Sequence, residues 1–202
     1  MSATRYLYVA RHGEALPDQS GLTEKGQRQA KLLSRRLRDV PFTAFHHSPL
    51  ARAVQTAGLL ELEVEPEASE AAGDYIPAVP TRDELPPDSA DNLLSMVEQF
   101  TPAELQAGPE LARQALDLFT GVVDGSEDRH ELLVTHNFLI GFLVSHALGA
   151  PGWRWLTLNH CNAALTVLRY APGRPPSLVV YNDMRHLSSD LRWTGFPAAF
   201  RV

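Results

Sequence analysis

Apolar residues in the first part of the chain recur with two different periods. Tyr6-Leu-Tyr-Val-Ala10 is a short apolar run rich in β-forming residues, with polar residues directly after it, which predicts a buried strand. Ala30, Leu33, Leu37 and Val40 then recur at helical spacing, opened by the capping Thr23 with Glu24 behind it and closed by Pro41. The same reading gives a strand over 42–47, a helix over 51–60 and a third strand at Leu62 and Val64. From 66 to 91 the periodicity gives way to proline, glycine and acids, a loop of a length that is uncommon in compact domains and often functional. Helical patterns return over 90–100 and over 110–123, the latter carrying Leu111, Ala115, Leu118, Phe119 and Val122. Leu132-Leu-Val134 reads as a buried strand, 138–148 as an apolar helix ending at Gly149 and Pro151, and 163–169 and 178–181 as the last strands. Strands alternating with helices predict an α/β fold: a three-layer sandwich, a mostly parallel sheet with helices on both faces. The 202 residues suffice for a single domain spanning 1–202.

Composition narrows the function classes. Hydrophobic residues are 44% and charged residues 21%, values of an ordinary globular protein, so a disordered or repetitive chain is excluded. No apolar run approaches the roughly 20 residues that span a bilayer, and the N-terminus lacks the apolar core and cleavage site of a signal peptide. The expectation is a cytoplasmic protein without a membrane partner. A net charge of −6 argues against a nucleic-acid partner held by a general positive field, so an anionic ligand must be drawn by local cations. Cys161 is the only cysteine, which rules out an intrachain disulfide and a multi-cysteine metal site. Phosphatases that use cysteine place an arginine six positions later; Val167 stands there, so Cys161 is read as a buried, inert thiol.

Two polar clusters stand directly after buried strands: Arg11-His-Gly-Glu14 and Thr135-His-Asn137. In open α/β sheets, ligands bind beyond the carboxyl ends of the strands, where two histidines from separate strands can meet. Arginine beside histidine suggests an anion, since a guanidinium pairs with phosphate oxygens through parallel hydrogen bonds. Gly13 would let the backbone approach closely. Arg52, in Ser48-Pro-Leu-Ala-Arg52, falls in the first turn of the second helix, where a cation is disfavoured unless something negative is bound.

Val9-Ala-Arg-His-Gly-Glu14, Leu22-Thr-Glu-Lys-Gly26, Ser48-Pro-Leu-Ala-Arg-Ala-Val-Gln-Thr-Ala57 and Leu133-Val-Thr-His136, in that order, resemble the histidine phosphatase superfamily, also called phosphoglycerate-mutase-like. The resemblance implies that His12 becomes phosphohistidine, and that Arg11, Arg52 and His136 surround the phosphoryl group and stabilise its transition state. It implies no cofactor and no metal. The physics agrees: an imidazole with an unperturbed pKa of about 6.5 is largely neutral and nucleophilic at neutral pH, and two guanidiniums supply the field that phosphoryl transfer needs. Substrate contacts are assigned to Arg11, Gly13, Glu14, Arg52 and Asn137, although Glu14 has solvation as its alternative. His46, His47, His130 and His146 are read as surface polar residues, and a structural role is favoured for His160 and His186.

The proton donor departs from the family pattern. Members often supply a glutamate two positions after a leucine in the long connection; here that position, after Leu85, is Pro87. Glu84 is the candidate, with Asp88 next and Asp83 a weaker third. The short Ala15–Gly21 tract lacks the asparagine and longer segment of phosphoglycerate mutases, which favours a phosphatase acting on a small phosphomonoester or a phosphoprotein. The alternatives are a phosphoglycerate-type mutase, a protein phosphohistidine or phosphoserine phosphatase, and a non-catalytic phospho-ligand-binding module.

Overall fold

A computed structural model of the chain describes residues 1–201. Its strands are β1 (Ser2–Ala3), β2 (Arg5–Arg11), β3 (Phe42–His47), β4 (Pro66–Ala68), β5 (Val123–Asp124), β6 (Arg129–Thr135), β7 (Leu165–Tyr170) and β8 (Ser177–Asp183). The helices are α1 (Glu24–Leu37), α2 (Ala51–Gly58), α3 (Ala90–Val97), α4 (Pro102–Phe119) and α5 (Asn137–Ala147). The main sheet has the order β4-β3-β6-β2-β7-β8. The β4-β3, β3-β6 and β6-β2 pairs are parallel; β7 runs against both β2 and β8. The expected mostly parallel sheet flanked by helices is therefore present.

Alternation along β2 sorts the core into two layers. Leu7 and Val9 pack with Leu133 against Ala115 and Phe119 of α4 and Leu139, Leu143 and Val144 of α5. Ala10 and the half-buried Tyr8 face the other way, where Leu132 and Val134 meet Leu33 and Leu37 of α1 and Ala53 and Ala57 of α2. Helix α5 is apolar on almost every side because it is covered twice. One side lies on the sheet, and Phe138 and Phe142 touch a satellite core of Ile76, Leu85, Leu93, Trp153 and Trp155. No helix among the described residues is long and apolar enough to cross a membrane.

Two elements differ from the sequence expectation. The edge strand lies at Pro66–Ala68, not at Leu62 and Val64, which pack their side chains against the α1–α2 core from an irregular stretch. All three residues of β4 are exposed and carry no alternation, and proline is tolerated there because an edge strand has one unpaired side. The helix expected over 110–123 runs instead from Pro102 to Phe119. Its start is a capping box in which Thr101 and Glu104 satisfy each other's backbone N–H groups, with Pro102 in the first turn. Beyond Phe119, Val122 is exposed and Val123-Asp124 pairs with Ser2-Ala3.

Candidate functional site

Three adjacent parallel strands deliver the site. Arg11 at the end of β2 is opposite Thr135 at the end of β6, and His47 at the end of β3 is opposite Val134. The backbone continues the pairing past the strand ends: the His12 and Ser48 N–H groups donate to the carbonyls of Thr135 and Val134, each at 3.0 Å. Strands about 4.8 Å apart thus bring His12 and His136 side by side, with ring centroids 5.0 Å apart. Arg52, the second residue of α2, arrives from the same edge, and its Nε–H donates to His12 Nε2 at 3.3 Å. Arg11, His12, Glu14, Gln19, Arg52, Asp74 and Asn162 line a cleft of about 290 Å³.

The tautomers follow from the partners. His12 Nδ1 lies 2.7 Å from the Gly13 carbonyl, which can only accept, so Nδ1 carries the proton and Nε2 keeps the lone pair, which accepts the Arg52 Nε–H. The Ser48 hydroxyl accepts the Leu50 N–H at 3.2 Å and gives its own proton to His136 Nε2 at 2.8 Å. That leaves the His136 proton on Nδ1, a buried atom without a hydrogen-bond partner among the described residues, 3.7 Å from Asp74 Oδ2. Burial first, and then Arg11, lower the His12 pKa to about 3; burial and then His12 lower that of His136 to about 2. Both rings are neutral at physiological pH.

Arg11 is anchored rather than free. Its Nη1 donates to the carbonyls of His160 (2.6 Å) and Gly195 (2.7 Å), while its Nε is buried and unpartnered among the described residues. The segment around Gly195 is also wired to the loops that carry His12 and Glu14. Thr194 accepts the Asn162 N–H through its carbonyl, and the Asn162 side chain donates to the His12 carbonyl at 3.1 Å. Gln29 donates to Leu191 O and Thr194 Oγ1, and accepts the Glu14 N–H at 2.8 Å. Gly195 has φ +68°, and a Cβ there would strike Asn162 Oδ1 and come within 2.8 Å of Arg11 Nη1. Gly195→Ala is therefore expected to lower kcat/KM by at least about tenfold, because a displacement of an ångström in a positioning group can cost about 10²-fold. Steady-state kinetics beside a urea melt check this; an unchanged kcat/KM would show that Arg11 keeps its place without Gly195.

Several expectations need correcting. Gly13 makes a close approach to α1, where a Cβ would lie 2.5 Å from the Gly26 carbonyl. Asn137 spends its side-chain oxygen on the His160 N–H at 2.8 Å, and among the described residues it does not line the cleft. Glu84 is turned to the Thr81 N–H (2.8 Å) and hydroxyl (3.2 Å) as a turn cap, and it too is outside the cleft. Asp88 lies in an exposed turn. Glu14 does line the cleft, with its carboxylate accepting the Thr23 hydroxyl at 2.9 Å. His47 is buried rather than at the surface, its Nδ1–H donating to the Ser48 carbonyl at 2.8 Å. Cys161 is buried as expected, and burial raises its thiol pKa.

Besides Glu14, the cleft holds a second acid, Asp74, which sequence reasoning passed over and which alone of the two pairs with Arg52. Its Oδ2 accepts from Arg52 Nη2 at 2.7 Å. Its side chain is 35% exposed; the protein around the rest of it raises its pKa by desolvation, while Arg52 and Arg11 pull it down, and the net direction is upward. Only Gly73 before it marks Asp74 among the many acids of this loop. What holds it is the buried Ala71-Ala72 pair beneath it, whose Ala72 carbonyl accepts the Thr135 hydroxyl at 2.6 Å.

His160 is buried, with both ring nitrogens unpartnered among the described residues, and burial lowers its pKa to about 3. Together with His12 and His136 it makes the fold acid-sensitive. Below about pH 6.5 the unfolded chain binds protons that these rings refuse, so stability is lost as pH falls from there towards 3, by up to about 1.4 kcal/mol per pH unit for each ring. Urea unfolding at pH 7 and pH 5 is expected to show that loss. His160→Phe should flatten the slope by one proton with little cost at pH 7, and an unchanged slope would mean His160 titrates inside the fold.

Residues 7–184 match the family model of the histidine phosphatase superfamily (branch 1). The serine/threonine-protein phosphatase Pgam5, mitochondrial, of Caenorhabditis briggsae is 29% identical over 191 residues, covering 93% of this chain and 66% of that protein. The chain thus spans just under two thirds of the length of the Pgam5 relatives. The probable phosphoglycerate mutase GpmB of Yersinia pestis (strain Pestoides F) is 30% identical over 206 residues, covering 90% of this chain and 94% of that one. The crystal structure of phosphoserine phosphatase from Entamoeba histolytica in complex with 3-phosphoglyceric acid superposes with a TM-score of 0.65 at 20% identity, covering 91% of this chain and all of that one, a likeness of fold. With its sheet, its paired histidines and this match over most of its length, the chain belongs to the histidine phosphatase superfamily, branch 1.

Proposed function

We propose that the protein hydrolyses phosphomonoesters in two steps through a phosphohistidine on His12. The observation that carries this reading is the His12 ring itself: Nδ1–H is held by the Gly13 carbonyl, and the neutral Nε2 is aimed into a cleft walled by Arg11 and Arg52. A bound phosphate draws the Arg52 guanidinium onto its own oxygens, and the Nε2 lone pair so released forms the bond to phosphorus as the bond to the leaving oxygen breaks. Arg11, Arg52 and the His136 Nδ1–H hold the equatorial oxygens, where charge builds up. The nucleophile itself needs no change of protonation state before attack.

Asp74, rather than Glu84, is the proposed proton donor. In the free site its carboxylate pairs with Arg52. A phosphate dianion competes for that guanidinium and repels the carboxylate, raising further a pKa that burial has already raised, so Asp74 takes up a proton as substrate binds. It gives that proton to the leaving alkoxide, then accepts one from the water that attacks phosphorus, and Nε2 recovers its electron pair. The relatives bear the names of a protein phosphatase and of a mutase. Hydrolysis is favoured here because the tract between Glu14 and Leu22 is a short exposed hairpin, closed by the Ala15–Leu22 bridge, that leaves the cleft open to water. The anchoring of Arg11 by Gly195 makes 1–202 one functional domain in this reading. Incubation with an aryl phosphate is expected to release inorganic phosphate continuously. Release of none, or recovery of the phosphate on a second substrate hydroxyl, would refute hydrolysis.

A further inference from the structure

A second cavity of about 290 Å³ lies between α4 and the 74–76 segment, and Asp74 belongs to its wall as well as to the wall of the phosphoryl cleft. Its other walls are Tyr75, Phe100, Leu111 and Phe138, with the solvent-exposed Glu104 as a second carboxylate. We propose that this cavity receives the alcohol half of the substrate, and that the substrate is a small phosphomonoester whose alcohol is apolar and bulky.

The inference rests on the hydrolytic reading and on its choice of proton donor. A general acid must touch the oxygen it protonates, so the leaving oxygen lies at Asp74. The carbon skeleton continues from that oxygen, away from phosphorus. The aromatic and aliphatic walls that share Asp74 with the phosphoryl cleft are the surface such a skeleton would reach. The volume is ample, since an apolar cavity of about 150 Å³ holds a benzene ring. Helix α4 comes this close because Gly108 sits against the Ile76 carbonyl, where a Cβ would collide. The chemistry of the walls also excludes. The carboxylate of Glu104 is held ionised by hydrogen bonds from Thr101. A leaving group with its own carboxylate, such as that of a phosphoglycerate, would face this charge with no cation in the wall to offset it.

Three alkyl phosphates of similar leaving-group basicity test the inference: ethyl phosphate, 2-phenylethyl phosphate and 3-phosphoglycerate. Release of inorganic phosphate by the whole chain is expected to give 2-phenylethyl phosphate a kcat/KM at least about tenfold above ethyl phosphate, because even one well-buried methylene is worth about 10- to 200-fold. 3-Phosphoglycerate should fall at or below ethyl phosphate. Leu111→Trp, which fills the cavity from α4, should bring the ratio of 2-phenylethyl to ethyl phosphate towards unity. Equal kcat/KM for the two esters of uncharged alcohols in the wild type overturns the inference without the variant, as does a preference for 3-phosphoglycerate. So does a ratio left intact by Leu111→Trp. Hydrolysis of none of the three, nor of an aryl phosphate, is a different result: it overturns the phosphatase reading and this inference with it.

Discussion

His12→Ala is expected to lower kcat by at least about 10⁴-fold, the scale on which removal of a covalent nucleophile is felt. Two circumstances make the loss this complete. The neighbouring ring cannot substitute, because His136 turns Nε2 to Ser48 and its buried Nδ1–H towards Asp74, behind the cleft wall. The two guanidiniums remain, so phosphate still binds but has no attacking group. The fold should survive, because among the described residues the ring's hydrogen bonds are to the adjacent Gly13 carbonyl and to Arg52, and its ring neighbour is another site residue, His136. A urea melt at pH 7 should differ little from wild type. At pH 5 the variant should be relatively more stable, having lost a ring that refuses protons.

The second large effect falls on Asp74. An aryl phosphate departs as a fairly stable anion, whereas an alkyl phosphate departs as a strongly basic alkoxide that needs a proton. General acid help is worth about 10²- to 10⁴-fold. Asp74→Asn is therefore expected to slow an alkyl phosphate by that factor and an aryl phosphate by about tenfold or less. Loss of the Arg52 pair affects both substrates alike, so the ratio of the two within the variant isolates proton donation. Glu84→Gln and Asp88→Asn should leave that ratio at its wild-type value. A selective loss of alkyl phosphate turnover in Glu84→Gln, with Asp74→Asn unaffected, would return the donor role to Glu84.

That pair of acids also marks where sequence legibility ended. The convergence of His12, His136 and Arg52 could be read from the chain because each stands beside a regular element with a strong pattern: Val9 and Val134 lie in buried strands that end at Arg11 and Thr135, and Ala51 opens a helix. Strand spacing does the rest. Asp74 has no such neighbour. It sits in the aperiodic stretch after β4, and its place is set by tertiary contacts from Thr135 and Arg52, which lie far from it in sequence. The role of Gly195 was hidden for the same reason, since its carbonyl meets an arginine from the opposite end of the chain. Composition misled at α4 too. Residues 102–109 contain two prolines and a glycine, which conceal a helix that a capping box starts and packing against Ile76 retains.

The most direct test of the account is to trap the intermediate. Wild-type protein is mixed with a phosphoryl-labelled aryl phosphate, quenched within a turnover, and the label followed through acid and base and then mapped. The prediction is a phosphoryl adduct that survives base, is lost in acid, maps to the peptide carrying His12, and is absent from His12→Ala. A label that resists acid, or a His12→Ala variant that still forms the adduct, would contradict a phosphohistidine on His12.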